Sequence, residues 1–399
     1  MTLLRNPRRR GSGLPPAPGL EDLDRQAADV VLRLLALCPA YAPTPLWRLD
    51  ALAGDLGLGG VAFKDESFRL GLNSFKALGG VYAVAEIVSA HAAEALGRPV
   101  EPSDLTSGAV RAIAADMTFV CASDGNHGRA VAAGARLFGA RCVVFLHQGV
   151  SQARCDWISA LGAEVRRTPG TYDHSVEAAR QAALAEGWLL TPDTSDDPEA
   201  EIPRLIMRGY TVLIQEALDQ LGRAPTHVFV QAGVGGLAAA VAGYCVNRYG
   251  DAGPRIVVVE PEGANCLLQS ARAGHAIEIA QGPETLYAML ECLRPSEPAW
   301  RVLDAYADDF MDVSDAMAAP AMRRLAFPIG SDPRIVSGES GATGLAALLT
   351  ACAAPDLRAA LALSRDSVVL LLGTEGATDP ERYRQLIEDG RLTLSPPPG

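Results

Sequence analysis

Short apolar segments alternate with Ala-rich amphipathic segments almost from end to end of the chain. Apolar segments with the length of strands lie at residues 61–63, 118–122, 142–146, 164–168, 188–191, 227–231, 256–260 and 368–372. Between them, segments such as 129–138, 150–161 and 175–186 have the apolar spacing of helices. Near-continuous runs of Val, Ile and Leu are typical of parallel strands that helices cover on both faces. The alternation therefore predicts an α/β fold whose parallel sheets form two lobes packed together, because no linker interrupts it.

The composition indicates a large buried core and excludes some classes of partner. Of the 399 residues, 49% are hydrophobic and 21% are charged, and the length suits two or three domains. The net charge of −12 argues against nucleic-acid binding, which needs a basic face. No apolar run approaches the roughly 20 residues of a membrane helix, and residues 1–19 lack the apolar segment of a secretory signal. We therefore expect a cytoplasmic protein that binds neither nucleic acid nor membranes, with disordered tails at residues 1–22 and 395–399.

The eight cysteines are spread singly along the chain, without a CxxC pair. They also form no Cys/His cluster at the spacing of metal ligands. The sequence therefore predicts no metal site, and most of the cysteines are expected to be reduced core residues.

Lys76 differs from an ordinary surface lysine in its neighbours. Apolar residues surround it, and Asn73 and Ser74, which precede it, are of types that cap helix N-termini. The spacing predicts that Lys76 lies in the first turn of a helix, where partial positive charge and desolvation favour the neutral amine. A lysine with a lowered pKa is suited to imine formation with an aldehyde cofactor. A solvated surface lysine is the alternative interpretation.

A glycine-rich turn lies at residues 231–237, directly after an apolar segment and before an Ala-rich helix. Glycines in such a turn allow backbone amides to approach a phosphate and direct the helix N-terminus towards it. The spacing is not the GxGxxG of a dinucleotide-binding turn, and no basic residue follows as in a Walker A loop. The turn is therefore a candidate phosphate site, with a purely structural tight turn as the alternative.

A run of polar residues follows the apolar segment that ends at residue 122, from Ser123 to Gly128. The carboxyl end of a parallel strand is where α/β proteins place their ligands. Asp124 could serve there as an acid or base, and Asn126 as a hydrogen-bond donor to a cofactor oxygen. His127 could be catalytic, although a histidine that caps a helix is the commoner case.

Lys76, the polar run at residues 123–128 (the Asn-containing turn) and the glycine-rich turn occur in this order in fold-type-II pyridoxal-phosphate enzymes, which the chain resembles. Further motifs resemble those of the diaminopropionate ammonia-lyase family, at residues 63–67, 73–80, 124–129, 202–210, 231–235, 332–341 and 374–379. The resemblance implies two three-layer αβα lobes with mainly parallel sheets and the active site between them. Residues 23–79 and 196–392 would form a large cofactor-binding lobe, and residues 80–195 a small mobile lobe.

The resemblance also implies a reaction and the residues that act on the substrate. In that family, pyridoxal 5'-phosphate supports elimination from 2,3-diaminopropionate to give pyruvate and ammonia, and a homodimer is implied. Lys76 would be the Schiff-base lysine. Asp124 and Asp193 would be the two aspartates near the substrate, where carboxylates attract its second ammonium group.

The cofactor contacts implied by the resemblance are spread along the chain. Asn126 would reach the ring hydroxyl and Thr374 the pyridine nitrogen. The phosphate would be bound by the backbone amides of Gly233, Val234, Gly235, Gly236 and Leu237. Cys266 and Cys292 fall where the family can have cysteines close enough to bridge, with two reduced thiols as the alternative.

Two segments depart from the family pattern and leave the substrate open. Residues 195–201 are acidic and lack aromatics, and residues 285–294 replace a segment that is usually richer in Gly. Both could border the mouth of the site. A pyridoxal-phosphate-dependent dehydratase or β-replacement synthase acting on another small amino acid is therefore the alternative. A catalytically silent paralogue is disfavoured by the intact lysine, aspartates and glycine-rich turn, and a nicotinamide dehydrogenase is disfavoured by the glycine spacing.

Overall fold

The computed structural model describes residues 1–11, 14–123 and 125–389 of the chain. The strands are β1 Leu3–Arg5, β2 Leu46–Arg48, β3 Gly60–Asp65, β4 Thr118–Ala122, β5 Arg141–His147, β6 Glu164–Thr168, β7 Leu189–Leu190, β8 His227–Gln231, β9 Arg255–Pro261, β10 Asp309–Val313 and β11 Val368–Gly373. The helices are α1 Arg25–Leu35, α2 Asp50–Asp55, α3 Lys76–Leu96, α4 Gly108–Ala114, α5 Asn126–Phe138, α6 Gln152–Ser159, α7 Tyr172–Glu186, α8 Glu201–Leu221, α9 Gly236–Tyr249, α10 Cys266–Ala273, α11 Glu297–Tyr306, α12 Ala318–Ala326, α13 Thr343–Ala353, α14 Pro355–Ala360 and α15 Pro380–Asp389.

The strands form two separate sheets. A seven-stranded sheet has the order β1-β10-β9-β8-β11-β3-β2, and only its edge strands β1 and β2 are antiparallel to their neighbours. A four-stranded, fully parallel sheet has the order β6-β5-β4-β7. The central strands β3, β8 and β11 are buried along their whole length, as strands covered by helices on both faces must be. The mainly parallel α/β architecture expected from the alternation is confirmed.

Helix α3 packs closely against α8 and against α5, and two consecutive glycines, Gly79 and Gly80, make this close packing possible. A Cβ added at Gly79 would lie 2.6 Å from the Tyr210 ring of α8, and one at Gly80 would lie 2.5 Å from the Cβ of Ala130 in α5. No real side chain tolerates such distances, so larger residues would force the helices apart. The close packing fixes the position of Lys76 at the start of α3 relative to both sheets.

A buried network of charged residues supports the turn that leads into α3. Lys64 and Arg69 are fully buried, and both donate to Glu216 of α8, with Lys64 Nζ 2.7 Å from its Oε2. Arg69 also donates to Glu66. The chain then passes through positive φ at Leu70 (49°) and Asn73 (63°) before α3 begins. Buried charges persist only when they are paired and hydrogen-bonded, so these ion pairs hold an irregular segment in one conformation.

The strands predicted from apolar segments are all present, with ends displaced by at most a few residues. The prediction missed β1 and β2, which are three-residue edge strands too short to give a periodic signal, and β10. Strand β10 was missed because Asp309 and Asp312 interrupt its apolar run. Both aspartates are buried, and Asp309 is paired with Arg255.

The expectation of a disordered tail at residues 1–22 was wrong for the described part of that segment. Leu3–Arg5 pair with β10 as strand β1, and Arg8 and Arg9 form ion pairs with Asp304 and Asp308. The basic residues therefore bind this segment to acidic residues in and just after α11. The sequence did not predict these contacts because the partners are far apart in the chain. Residues 395–399 lie outside the described residues. Across the part of the chain that the structure describes, no helix combines the length and apolar character needed to cross a membrane.

Candidate active site

Lys76, which follows β3 of the seven-stranded sheet, and Asp193, which follows β7 of the four-stranded sheet, form an ion pair in the region between those strand ends, here called the cleft. Lys76 is the first residue of α3, and its Nζ donates to Asp193 Oδ2 at 2.6 Å. Burial lowers the pKa of Lys76, but the charge and hydrogen bond of Asp193, together with smaller contributions from Tyr210 and Cys292, outweigh burial and the net pKa is raised. Burial likewise raises the pKa of Asp193, but Lys76 and His127 hold it well below its usual range. The expected neutral amine is therefore corrected: a carboxylate from a distant segment keeps Lys76 protonated.

The start of α3 is held by the segment that follows β11. The Phe75 amide donates to Thr374 O at 3.0 Å, and Gly376 N donates to Asn73 O. Ser74 and Glu375 form an isolated antiparallel bridge. Phe75, rather than Asn73 or Ser74, is the N-cap residue, although the Ser74 hydroxyl accepts from the Lys76 amide as its residue type suggested. The segment just before Lys76 therefore lies beside the segment that carries Thr374.

Thr374 is buried and its hydroxyl has partners within the large sheet. Gln231 Nε2 donates to Thr374 Oγ1 at 2.9 Å and also to the backbone oxygens of Ser340 and Leu372. Gln231 is the last residue of β8, immediately before the glycine-rich turn. The side-chain amide of Gln231 therefore links the end of β8 to the end of β11 by hydrogen bonds.

The first turn of α5 contributes Asn126 and His127 to the same cleft. His127 is buried, and its Nε2 lies 2.8 Å from Thr191 O, two residues before Asp193. Asn126 Nδ2 donates to Glu375 Oε2 at 2.6 Å. Asp124 lies outside the described residues, so its predicted position is not addressed by the structure.

Tyr210 of α8 lies between Lys76 and the glycine-rich turn. Its ring packs against Phe75 with centroids 4.8 Å apart, and it would be 3.8 Å from a Cβ at Gly236. The hydroxyl is buried and makes no hydrogen bond of normal geometry in the described part of the chain, although Lys76 is close enough to interact with it. Burial raises the pKa of Tyr210, against the opposing charge of Lys76. A buried hydroxyl without a well-formed hydrogen bond is costly, which indicates that a ligand completes it.

The glycine-rich turn has the backbone conformation of a ligand-binding helix start. Gly235 has φ of +100° and is the N-cap of α9, and as a glycine it has no side chain of its own to cap the helix. A Cβ at Gly233 would lie 2.8 Å from Cys292 Sγ. The first amides of α9 have no intrahelical acceptor, as at any helix N-terminus, so this end of the helix is a candidate anion site.

The two segments that depart from the family pattern touch each other at the edge of the site. Arg294 pairs with Asp196 at 3.1 Å, and Glu297 N donates to Ser195 O at 2.9 Å. In the second segment, Met289 Sδ would be 3.0 Å from a Cβ at Gly125, so the segment lies against the Asn-containing turn. Sequence departures far apart in the chain are thus neighbours in the fold.

Cys266 and Cys292 are both free thiols that lie beside Gly233. Cys266 Sγ is 3.9 Å from Gly233 O, and Cys292 Sγ is close enough to exclude a side chain at Gly233. Burial raises the pKa of Cys292 to about 12, in opposition to the charge of Lys76. The reduced alternative is the one that the structure contains.

Comparisons with known proteins decide the family. The sequence pattern described as pyridoxal-phosphate dependent enzyme matches residues 37–374. Diaminopropionate ammonia-lyase of Escherichia coli K12 is 40% identical over 362 residues, which span 89% of this chain and 90% of that protein. The Salmonella typhimurium enzyme of the same name is 38% identical over 396 residues, 97% of each chain.

The chain belongs to the diaminopropionate ammonia-lyase family.

A solved structure extends the likeness to three dimensions. The crystal structure of the Escherichia coli diaminopropionate ammonia-lyase in complex with an aminoacrylate-PLP azomethine reaction intermediate matches with a TM-score of 0.86 and 36% identity. The match covers 98% of this chain and 97% of that one. The fold is therefore that of the fold-type-II pyridoxal-phosphate enzymes, and the chain is a pyridoxal-phosphate-dependent lyase of the diaminopropionate ammonia-lyase family.

The residues of the cleft fit pyridoxal phosphate. Lys76 offers an amine, and the N-terminus of α9 offers free amides for an anion. Three buried polar atoms around them make no hydrogen bond of normal geometry within the described residues, namely Tyr210 Oη, His127 Nδ1 and Glu375 Oε1. Such atoms are expected to be completed by a polar ligand.

Sequence reasoning missed Glu375 and gave Tyr210 no role of its own. Both stand inside motifs that carried the family resemblance, Glu375 beside Thr374 and Tyr210 at the end of residues 202–210. Their contacts are with residues more than one hundred positions away, Asn126 and Phe75 respectively. For Glu375, the one signal in the sequence was its position next to Thr374, a residue already assigned to the site.

Proposed function

We propose that this protein eliminates the β-amino group of 2,3-diaminopropionate, so that the substrate and one water yield pyruvate and two molecules of ammonia. The observation that carries the proposal is the Lys76–Asp193 ion pair in the cleft of a diaminopropionate ammonia-lyase fold. It places an amine and a carboxylate 2.6 Å apart at a position where the structure already stabilises an ammonium ion. The proposed substrate carries a second ammonium group that needs such a carboxylate.

Lys76 Nζ would hold the cofactor, and the same Nζ, neutral once Asp193 pairs with the substrate's ammonium group instead, would take the proton from Cα. Pyridoxal phosphate, when bound, supplies the electron sink for the charge that develops at Cα. The lysine is held in place for this task by α3 and its glycine contacts. A positioned base of this kind contributes roughly 10²- to 10⁴-fold to a rate.

Asp193 attracts the β-ammonium of the substrate once Lys76 Nζ is engaged elsewhere. Burial raises the pKa of Asp193, but the charges of Lys76 and His127 hold it well below its usual range in this structure. The β-ammonium of the substrate would take the place of the Lys76 charge, so that Asp193 remains a carboxylate. Because the β-amino group enters already protonated, it leaves as neutral ammonia without further proton transfer. A carboxylate that is only partly exposed, at 22%, strengthens this attraction compared with water.

Asp124 is proposed to hold or move a proton on the face of Cα opposite Lys76, a role that rests on sequence alone. Bases on both faces would allow both stereoisomers to react. An Asp124→Asn variant is therefore expected to lose activity towards one isomer of the substrate far more than towards the other. Equal losses for the D- and L-isomers would count against the role.

The remaining cofactor contacts are proposed from the positions of the residues around Lys76. Asn126 is assigned to the ring hydroxyl and Thr374 to the pyridine nitrogen. The phosphate is assigned to the amides at the start of α9, of Gly233, Val234, Gly235, Gly236 and Leu237. Support comes from the free helix N-terminus and from the shared cleft that brings Thr374 next to Phe75.

A dehydratase or β-replacement synthase acting on another small amino acid is the second candidate. It is favoured by the contact between the two segments that depart from the family pattern, Asp196 with Arg294. Because Met289 of the second segment lies over the Asn-containing turn, a change there alters the wall of the pocket. A wall that excludes water would favour replacement by a bound nucleophile over hydrolysis.

The deciding experiment measures pyruvate and ammonia from purified enzyme with bound pyridoxal phosphate. L- and D-2,3-diaminopropionate are supplied in parallel with serine and threonine, and Lys76→Ala is the matched control. Rapid pyruvate formation from diaminopropionate alone supports the lyase. Faster keto-acid formation from serine or threonine supports the dehydratase. No keto acid, with a cofactor absorbance that still responds to the amino acids, supports the replacement enzyme.

We further propose three properties that the family resemblance implies. The protein is cytoplasmic and forms a homodimer, and light scattering of the purified protein measures its mass. Residues 80–195 form a lobe that moves against residues 23–79 and 196–392 on substrate binding. The strands of the four-stranded sheet all fall between residues 118 and 190, which supports this division.

A further inference from the structure

Glu375 has no role in the reaction described above, yet it is almost fully buried beside the cofactor lysine. It is 3% exposed and lies two residues beyond the end of β11. Its backbone is fixed on two sides, because it bridges to Ser74 and its carbonyl oxygen accepts from Gly338 N at 3.2 Å. The side chain is therefore held in one place relative to Lys76, which follows Ser74 by two residues.

The two carboxyl oxygens of Glu375 differ in their surroundings. Oε2 accepts a hydrogen bond of 2.6 Å from Asn126 Nδ2, whereas Oε1 is buried and has no partner among the described residues. Asn126 opens α5 just after β4 of the four-stranded sheet, and Glu375 lies just after β11 of the seven-stranded sheet. The hydrogen bond therefore crosses the cleft and joins the two sheets at the cofactor site.

We propose that Glu375 is a positioning residue that orients the side-chain amide of Asn126 towards the ring hydroxyl of the cofactor. The inference rests on the proposed contact of Asn126 with that hydroxyl. A side-chain amide has two N–H donors on one nitrogen and an acceptor on the other side, and rotation by 180° exchanges them. Glu375 takes one of the two N–H groups, so the nitrogen faces Glu375 and its second N–H is left for the ring oxygen.

The charged groups around Glu375 leave this contact intact in either protonation state. Burial raises the pKa of Glu375 to about 8, and the charge of Glu339 adds to the rise. The hydrogen bond from Asn126 and the charges of Arg154 and Arg129 act in the opposite direction. When Glu375 is protonated, the proton is on Oε1, which has no other partner, and Oε2 still accepts from Asn126. The orientation is thus set by geometry rather than by charge.

Spectroscopy and affinity for the cofactor test the inference independently of turnover. The dissociation constant for pyridoxal phosphate and the absorption spectrum of the bound cofactor are measured for wild type, Glu375→Leu, Glu375→Gln, Asn126→Ala and the double variant Glu375→Leu/Asn126→Ala. Glu339→Gln, which changes a neighbouring acid that does not touch Asn126, is the matched control. Circular dichroism verifies that each variant is folded.

Loss of Glu375 is expected to weaken cofactor binding about 5- to 20-fold and to alter the absorption spectrum, because the freed amide can rotate. Glu375→Gln retains an acceptor oxygen and is expected to stay within about twofold of wild type, as is Glu339→Gln. The double variant is expected to bind no more weakly than Asn126→Ala alone, since the two residues act through one contact.

Three results would overturn the inference: additive losses in the double variant, a Glu375→Gln variant as weak as Glu375→Leu, or no effect of Glu375→Leu. An Asn126→Ala variant with an unchanged spectrum and affinity would remove the assignment of Asn126 on which the inference rests. Failure of the proposed elimination reaction is seen separately, as absence of pyruvate from wild-type enzyme whose cofactor spectrum is normal.

Discussion

Lys76 Nζ lies 2.6 Å from Asp193 Oδ2, so the amine that would attach to the cofactor aldehyde is paired with a carboxylate. The pair joins the start of α3 to the segment between β7 and α8. Only a neutral amine forms a covalent bond with an aldehyde. The rate of cofactor attachment therefore depends on how strongly Asp193 retains the proton on Lys76.

An Asp193→Asn variant is expected to attach pyridoxal phosphate faster than wild type at neutral pH. Asp193 raises the pKa of Lys76, so the wild-type rate increases as pH rises through the alkaline range, and the variant shifts that increase to lower pH. Elimination activity is expected to fall about 100-fold or more, because the counter-charge for the substrate is lost. The attachment rate is measured by absorbance after mixing cofactor-free protein with cofactor. Asp196→Asn, an exposed acid nearby, is the control, and identical pH profiles for both variants would contradict the role of Asp193.

Replacing Gly235 by Ala is expected to destabilise the cofactor-free protein by about 1–3 kcal/mol. Gly235 has φ of +100°, where a Cβ is strained, and that Cβ would also lie 3.1 Å from Leu303 Cδ1. Gly236→Ala is the matched control, because its nearest contact would be an ordinary 3.6 Å to Met207 Cγ. Thermal unfolding measures both variants. An equal loss of stability for the two would show that the conformation of Gly235 is not the cause.

Replacing Glu216 by Gln is expected to destabilise the protein by about 3–5 kcal/mol. Glu216 neutralises two buried cations, Lys64 and Arg69, and the variant leaves them with too few counter-charges. The midpoint of urea unfolding reports the change. Glu177→Gln removes an exposed ion pair with Arg180 and is expected to leave the midpoint unchanged. A Glu216→Gln variant as stable as wild type would show that water or rearrangement solvates these cations.

The stability of wild type relative to Glu375→Gln is expected to decrease as pH rises from about 5 to about 8. Burial raises the pKa of Glu375 to about 8, whereas in the unfolded chain the group titrates near its ordinary value of about 4.3. The folded state thus binds a proton that the unfolded state has released, and linkage makes stability fall with pH across that interval. Paired unfolding curves at several pH values measure the difference, and a difference independent of pH would contradict the raised pKa.

The sequence was informative where a function depends on residues close together in the chain. The lysine of α3, the turn at Asn126 and the glycine-rich turn each follow a strand in a recognisable local pattern, and the structure brings all three to one cleft. The residue boundaries of the two lobes came from the family resemblance alone. The strand order of the two sheets was not visible in the sequence, because it depends on contacts between distant segments.

Electrostatics could not be predicted from local sequence. The helix start at Lys76 suggested a neutral amine, but Asp193, which is 117 positions away, reverses the expected direction of its pKa. Glu375 was missed for the same reason, since its partner Asn126 is 249 positions away. Charge balance in a buried site depends on which segments meet, and hydrophobic periodicity carries no information on that.

The N-terminal strand has a practical bearing on recombinant production of this enzyme. Strand β1 covers the outer edge of β10, because Leu3–Arg5 pair with residues 309–311. A protein shortened by its first ten residues would leave the hydrogen-bonding groups of β10 bare. Exposed edge strands can pair with strands of other protein molecules, so the shortened protein would be prone to aggregation during purification.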